Sequence, residues 1–378
     1  MPSFSFGLKD GGWRLLYRRK YTIGLVLTLL VFLRSIFYHV PAIHFTLRQN
    51  TKRVPFVYKD VVINPTVDHG TNLFALILVS SSPHSEAHRQ KRDAIRKTWG
   101  NCANLLTMYR ESRHLPKDIA CKLVFFIARS DHDEAIRKEA NENNDVLLVD
   151  YTDRYSAITL KLMVAFKWAS SLNPSFILKT DDDVYIHTPK LFGGLVRETD
   201  GDFYGGIVLE GSKVQREVGH RHYISREQYK DDYYPPYCKG AMYVFSGNLL
   251  PRILYAADYV PYMHVDDAYV GLLMYYIGVE VENLHFFVHF KTVFLAFPYT
   301  LTDCAINRII AISDSFQADM IYSIHERIKA SENMLLTRYL CYTDSRATII
   351  VVCLLIIIVV TVYNVLKNAR IIGFHYKQ

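Results

Sequence analysis

The 378-residue sequence predicts a single α/β domain with a mainly parallel central sheet, carried between two membrane-spanning helices. Three observations predict it. Apolar, strand-like runs alternate with helical stretches from residue 71 to about 200. Three consecutive aspartates follow directly on one of those runs. Two long apolar segments with basic outer flanks stand near the two ends. Half of the residues are hydrophobic, which excludes a disordered chain. The net charge of +7 is confined to the ends, +4 in residues 1–20 and +3 in 364–378. The body between them is neutral, which speaks against a nucleic-acid-binding surface.

Residues 1–20 read as a basic cytosolic tail. The apolar run that begins at Tyr21 is interrupted by Arg34 and ends in the bulky Phe37-Tyr38-His39, where a cleaved signal peptide needs small residues. Residues 21–39 are therefore expected to be an uncleaved signal-anchor helix, with Arg18, Arg19 and Lys20 holding the N-terminus in the cytosol. Residues 40–70 read as a stem, 71–330 as the folded domain and 331–346 as a linker. Ala347–Val365 carries no charge and reads as a second span, followed by a second basic cytosolic tail at 366–378. On this topology Cys102, Cys121, Cys238, Cys304 and Cys341 face an oxidising compartment, and their odd number leaves at least one unpaired within the chain.

Inside the domain, Leu73–Ser80 is a continuous apolar run, as expected of a strand buried on both faces. Ser85–Trp99 reads as a helix, Lys122–Ala128 as a strand and Asp131–Asn141 as a helix. Asp145–Val149 reads as a strand, Thr159–Ser170 as a helix and Ser175–Lys179 as a fourth strand. Beyond residue 201 the alternation weakens: Met242–Phe245 resembles a short strand, Asp266–Ile277 a helix opened by acidic residues, and His285–Phe297 an apolar segment. No glycine-rich dinucleotide or P-loop fingerprint is present.

Asp181-Asp182-Asp183 sits between Phe176–Thr180 and Val184–Ile186. Carboxylates between two apolar stretches are costly unless they are solvated, paired or metal-bound. At the C-terminal end of a strand they stand where α/β proteins place ligands. Residues alternate along extended chain, so Asp181 and Asp183 can converge on one hard divalent cation. The competing reading is an acidic surface turn.

Several stretches, in order, resemble the β-1,3-glycosyltransferases, Golgi enzymes that use UDP-sugars. Arg92–Gly100 is similar to that family's first motif, Phe125–Ala128 to its next strand, and Thr159-Leu160-Lys161 to the TLK before its metal site. Lys179–Tyr185 is similar to the metal motif itself, and Tyr234–Cys238 and Val265–Gly271 to the acceptor-side motifs. The resemblance covers about residues 70–320. It implies a nucleotide-sugar-binding glycosyltransferase A-type domain and transfer of galactose or N-acetylglucosamine from a UDP-sugar. The acceptor would be a glycan on glycoprotein or glycolipid, with Mn²⁺ as cofactor. It also implies a Golgi membrane enzyme with a lumenal catalytic domain, and admits homo- or hetero-oligomers with other transferases.

Carried over position by position, the resemblance makes Asp183 the principal Mn²⁺ ligand. Asp181 stands near the ribose and the metal shell, Asp182 beside the nucleotide, and Arg92 and Arg96 near the UDP end. Asp267 is the base for the acceptor hydroxyl, with Asp266 in reserve. Cys238 is expected in a disulfide. The bland alternatives are a helix-surface charge pair for the arginines and helix caps for Asp266 and Asp267. Two departures stand out. Lys239 and Met242 replace small residues after the cysteine, and Ile312-Ser313-Asp314 puts Ser313 where the family often has a histidine, with His285, His289 and His325 as substitutes. That loss favours a rival function, a lumenal glycan-binding or chaperone-like protein that keeps the fold with weakened catalysis.

Overall fold

Alternation at period two along the central strands sends apolar side chains to both faces of the sheet, and each face becomes a core. Strand β2 (Leu73–Ser80) is buried almost throughout; it places Leu76 and Leu78 in one core and Ala75, Ile77 and Val79 in the other. Strands β3 (Ala120–Arg129), β4 (Val146–Thr152) and β5 (Phe176–Asp181) divide their side chains in the same way. The computed structural model describes residues 52–67, 73–103, 120–195, 201–284, 287–289, 309–313 and 316–332.

With β1 (Val61–Ile63), β7 (Tyr204–Leu209), β8 (Tyr237–Ser246) and β9 (Glu282–Asn283), these strands form an eight-stranded sheet of order β1-β4-β3-β2-β5-β8-β7-β9. The block β4-β3-β2-β5 is parallel, whereas β1–β4, β5–β8 and β8–β7 pair antiparallel. The sheet is therefore mixed rather than mainly parallel. The antiparallel half comes from the region where the strand–helix alternation fades, and β8, ten residues long, outruns the short strand expected at Met242–Phe245. A second sheet, β10-β11-β6, joins Phe287–His289 (β10), Ala311–Ser313 (β11) and Val184–Ile186 (β6).

Helices cover both faces. Helix α1 (Glu86–Lys97) starts at Ser85, whose hydroxyl accepts the His88 amide. Helix α2 (Asp133–Asn143) stops at the left-handed Asn144. These two share one core with α4 (Thr188–Leu195) and α7 (Ala318–Glu332), while α3 (Ile158–Ser170), α5 (Leu250–Ala257) and α6 (Asp266–Tyr276) share the other. A disulfide joins Cys102 to Cys121. Cys238, expected in a disulfide, is instead a free buried thiol beneath Tyr204, whose hydroxyl accepts the Cys238 amide.

The expected transmembrane helices also need correction. Among the described residues no helix is long and apolar enough to cross a membrane. A span takes about 20 apolar residues, and the longest described helix, α7, has 15 with a polar face. The runs at 21–39 and 347–365, on which the signal anchor and the second span rested, lie outside the described residues. The structure therefore does not carry the membrane-embedded state, the Golgi localisation or the lumenal topology.

Helix α6 can lie against β8 because residue 271 is glycine: a Cβ there would come 2.2 Å from the Cβ of Tyr237. In an open helix, glycine to alanine gains about 0.5–1 kcal/mol. Here the sign should reverse, and Gly271→Ala should cost about 1–3 kcal/mol as an overpacked contact, read as a lower midpoint in urea unfolding.

Candidate functional site

From β2 the chain steps outward through β3 and β4, then returns to the other side of β2 as β5. The strand order reverses between β2 and β5, and α/β sheets place ligands outside the carboxyl ends of the strands at such a reversal. A cleft of about 760 Å³ opens there. Its walls come from the turn after β2 (Ser81, Ser82, His84), the turn after β4 (Asp153, Tyr155), Asp181–Asp183, the first half of β8 and the start of α6. Asp181, Asp182, Asp183, Asp266 and Asp267 all line it. The structure thus brings together five of the seven site residues expected from the sequence.

Lys179 ties the floor together. Its fully buried ammonium lies 2.9 Å from Asp181 Oδ1 and 3.2 Å from Asp266 Oδ2, and donates to the Gly240 carbonyl at 2.7 Å. Burial alone would lower its pKa, but the charges of Asp181 and Asp266 outweigh burial and raise it well above the ordinary lysine value. Desolvation, together with the nearby Asp266 and Asp183, pushes the Asp181 carboxyl up to about 7 against the pull of Lys179.

Asp267 is held by the backbone. Its Oδ2 accepts the Gly240 amide at 3.0 Å and its Oδ1 accepts the Ala268 amide at 2.8 Å. Desolvation first, and the adjacent Asp266 second, push it up to about 6, while the two amides pull the other way. A Cβ on Gly240 would lie 3.2 Å from the Asp267 Cβ, so glycine permits this close approach of β8 to the helix start.

Asp182 turns away from its neighbours. It accepts from the Ser81 hydroxyl at 2.6 Å, meets His88 Nδ1 at 2.6 Å and stands 3.7 Å from Lys91 Nζ. Burial raises its pKa, but His88, Ser81 and Lys91 outweigh burial and hold it below the usual carboxylate range.

Arg92 and Arg96, expected beside the nucleotide, lie behind the cleft wall and do not line it. Arg92 is buried and grips both carboxylate oxygens of Glu139, at 2.8 and 2.6 Å, while Nη1 donates to the Ser81 hydroxyl and the Ser82 carbonyl. Arg96 clamps both oxygens of Asp145 and reaches Asp93 and Glu139. Neither is a helix-surface pair; together they form a buried ionic cluster that braces the turn after β2.

Sequence reasoning passed over the roles of Lys179, His88 and Lys161. Lys161 lines the cleft and donates to the Ser81 carbonyl at 2.9 Å. A usable signal existed for Lys179, since a lysine inside an apolar strand must find carboxylates. The rim adds Tyr155, stacked on His222 with ring centroids 5.8 Å apart. Ser313 is placed by register: β11 runs antiparallel to β6 and sets Ser313 opposite Val184, next to Asp183, with His289 opposite Ser313 on the other side. His325 faces the Tyr185 hydroxyl at 3.1 Å; His285 lies outside the described residues.

Among the described residues, one group of three His and Asp side chains, His84, Asp131 and His132, brings its ligand atoms within 4.8 Å of one another and could hold a metal ion. A second cavity, of about 520 Å³ between residues 52–57 and 257–262, contains none of the expected site residues.

A family described as galactosyltransferase matches residues 90–285, more than half of the chain. The chain belongs to the galactosyltransferase family. Within it the chain is homologous to the β-1,3-galactosyltransferases. It is 29% identical over 246 residues to beta-1,3-galactosyltransferase 5 of Pan troglodytes, covering 62% of this chain and 77% of the relative. It is 26% identical over 249 residues to beta-1,3-galactosyltransferase 1 of Homo sapiens, covering 64% and 70%. The matched span runs from α1 to the end of the second acidic pair's helix and just beyond, and so takes in every galactosyltransferase-like motif from Arg92 to Gly271. Among solved structures, mouse xyloside xylosyltransferase 1 aligns at 11% identity with a TM-score of 0.29, covering 56% of this chain and 84% of that one; a likeness this loose carries no argument.

The bracing role of Glu139 is testable. Burial pushes its pKa up, but Arg92 and Arg96 outweigh burial and hold it below the usual value. Its contribution to stability is therefore complete above the unfolded-state value of about 4.3 and is lost as the pH falls through the lower folded value. Glu139→Gln should cost roughly 3–5 kcal/mol near neutral pH by leaving Arg92 unpaired. The gap from wild type should narrow in unfolding titrations run below about pH 4.

Proposed function

We propose that this galactosyltransferase-family chain is a metal-dependent inverting enzyme. It moves galactose, with N-acetylglucosamine as the alternative, from a UDP-sugar to the 3-hydroxyl of an acceptor glycan and forms a β-1,3 linkage. The observation that carries this reading is the meeting of the Asp181–Asp183 motif and the Asp266–Asp267 pair in one cleft around buried Lys179. The names of the relatives supply the sugar and the linkage.

The residues fit a divalent cation. Asp181 and Asp183 face one cleft; burial first, and the nearby Asp266 and Asp183 carboxylates after it, push Asp181 up to about 7, and a bound cation would offset both by favouring the charged form. Asp183 and Asp181 would hold Mn²⁺, which supplies Lewis-acid stabilisation of a departing diphosphate. Asp182, held by Ser81 and His88, fixes the turn that presents its two neighbours. Lys179 keeps Asp266 ion-paired, so its Oδ2 is engaged and less free to meet an acceptor hydroxyl. Asp267 has both oxygens oriented by backbone amides and a pKa near 6, so at neutral pH it is ionised and aimed to take the acceptor's 3-hydroxyl proton. A single base and no sugar-bonded nucleophile give inversion, from an α-linked donor to a β product.

The rival, a glycan-binding or chaperone-like protein with weakened catalysis, draws on Ser313, paired in register with Val184 just after Asp183, in place of the family's histidine. UDP release from a panel of UDP-sugars with Mn²⁺ and glycan acceptors separates the two: the enzyme releases UDP and the binder does not.

Asp183→Ala should abolish transfer and weaken UDP–Mn²⁺ binding in calorimetric titration without lowering the melting temperature. Unchanged affinity would make the acidic run a surface turn. Asp267→Asn should cut turnover by roughly 10²-fold or more while leaving UDP–Mn²⁺ affinity near wild type, and Asp266→Asn should be milder. Because the base must be deprotonated, wild-type kcat/KM should fall as the pH drops below about 6, and a profile flat from pH 5 to 8 would move the role to another group.

A further inference from the structure

We infer that His84, Asp131 and His132 form a zinc site at the rim of the cleft, separate from the carboxylate site on its floor. The inference goes beyond the proposed transfer reaction and does not depend on it. His84 lies in the turn after β2, and Asp131 and His132 lie in the turn after β3. These strands are parallel neighbours, so both turns emerge at the same edge of the sheet, and that topology brings residues 47 positions apart side by side.

The donor set selects the metal. Two imidazoles converge on one carboxylate: His84 Nδ1 stands 4.0 Å and His132 Nε2 3.7 Å from the same oxygen, Asp131 Oδ1. Three ligands bonded at about 2.0 Å in tetrahedral geometry stand roughly 3.3 Å apart. All three side chains are about half exposed or more, so small rotations in solvent close that difference. Imidazole nitrogens with one carboxylate suit a borderline cation such as Zn²⁺, and the hard cations Mn²⁺ and Mg²⁺ prefer all-oxygen sets such as Asp181 and Asp183. Three protein ligands leave a fourth position for water.

A second observation supports the assignment. The other ring nitrogen of His84, Nε2, faces Asp153 Oδ2 at 3.4 Å, and Asp153 is itself held by the Ser82 hydroxyl at 2.9 Å. Metal-bound histidines commonly donate their second N–H to a carboxylate, which fixes the tautomer and the ring plane. Asp153 can hold His84 in this way, leaving Nδ1 to face Asp131. His84 and Asp153 also line the cleft, so zinc at the rim would fix part of its wall.

The test is a titration of the full chain with Zn²⁺ against a chromophoric chelator, in excess Mn²⁺ and without donor sugar. One equivalent of zinc should bind in wild type and in Asp183→Ala. In His132→Ala and in Asp131→Asn that equivalent should weaken by at least about 10-fold, the loss seen when even an outer partner of a metal ligand is removed. Both altered positions are exposed, so the variants should melt as wild type does. Zinc binding unchanged in His132→Ala, absent from wild type, or lost in Asp183→Ala would overturn the assignment. Because no UDP-sugar is present, the outcome is independent of whether the chain transfers galactose.

Discussion

One buried ammonium organises the cleft. Lys179 projects from a central strand and is buried, and a charge taken out of water there must be met by carboxylates and carbonyls. Asp181, Asp266 and the Gly240 carbonyl meet it. Those three groups belong to β5, α6 and β8, so neutralising one cation fixes the mutual position of three elements. The acidic motif and the second acidic pair, 85 residues apart when counted from Asp181 to Asp266, are neighbours because both answer to the same lysine. Apolar packing brings α6 onto β8, but packing alone would not specify which carboxylates face inward.

A second chain of polar contacts runs behind the wall. Glu139 on α2 holds Arg92 on α1, Arg92 donates to Ser81, Ser81 donates to Asp182, and Asp182 meets His88 back on α1. Every member but His88 is buried, and every contact charge-assists the next, so the turn after β2 and the turn after β5 are locked edge to edge across the switch point. Such a network is rigid because each loss would leave an unpaired buried group. All three aspartates of the triplet line the cleft, and the middle one also anchors the turn through Ser81 and His88.

Much of the first half of the fold was legible in the sequence. Buried parallel strands are apolar on both faces, so Leu73–Ser80, Lys122–Ala128 and Asp145–Val149 stood out by composition, and the helices between them by period. The antiparallel half was not legible. Strand β8 carries Tyr, Cys, Lys and Gly in its first half, because there it meets α6 and the cleft floor instead of a uniform apolar layer, and its pattern therefore reads as a loop. The acidic residues were legible as a set because carboxylates beside apolar runs need a reason. Arg92 and Arg96 were placed on the wrong side of the wall, since sequence records that a guanidinium needs an anion but not whether a ligand or Glu139 provides it.

By itself, the sequence determined the strand–helix order of the parallel block, the residue types available for chemistry and the membership of the galactosyltransferase motifs, because these depend on local pattern and spacing. Only the tertiary structure decided which charges neutralise which: that Lys179 holds Asp181 and Asp266, that Glu139 takes up Arg92, and that Cys238 stays a free thiol. It alone set His84 beside Asp131 and His132. Charge pairing and metal geometry act over a few ångströms, and residues 40 to 90 positions apart reach that range only after the sheet has chosen its strand order.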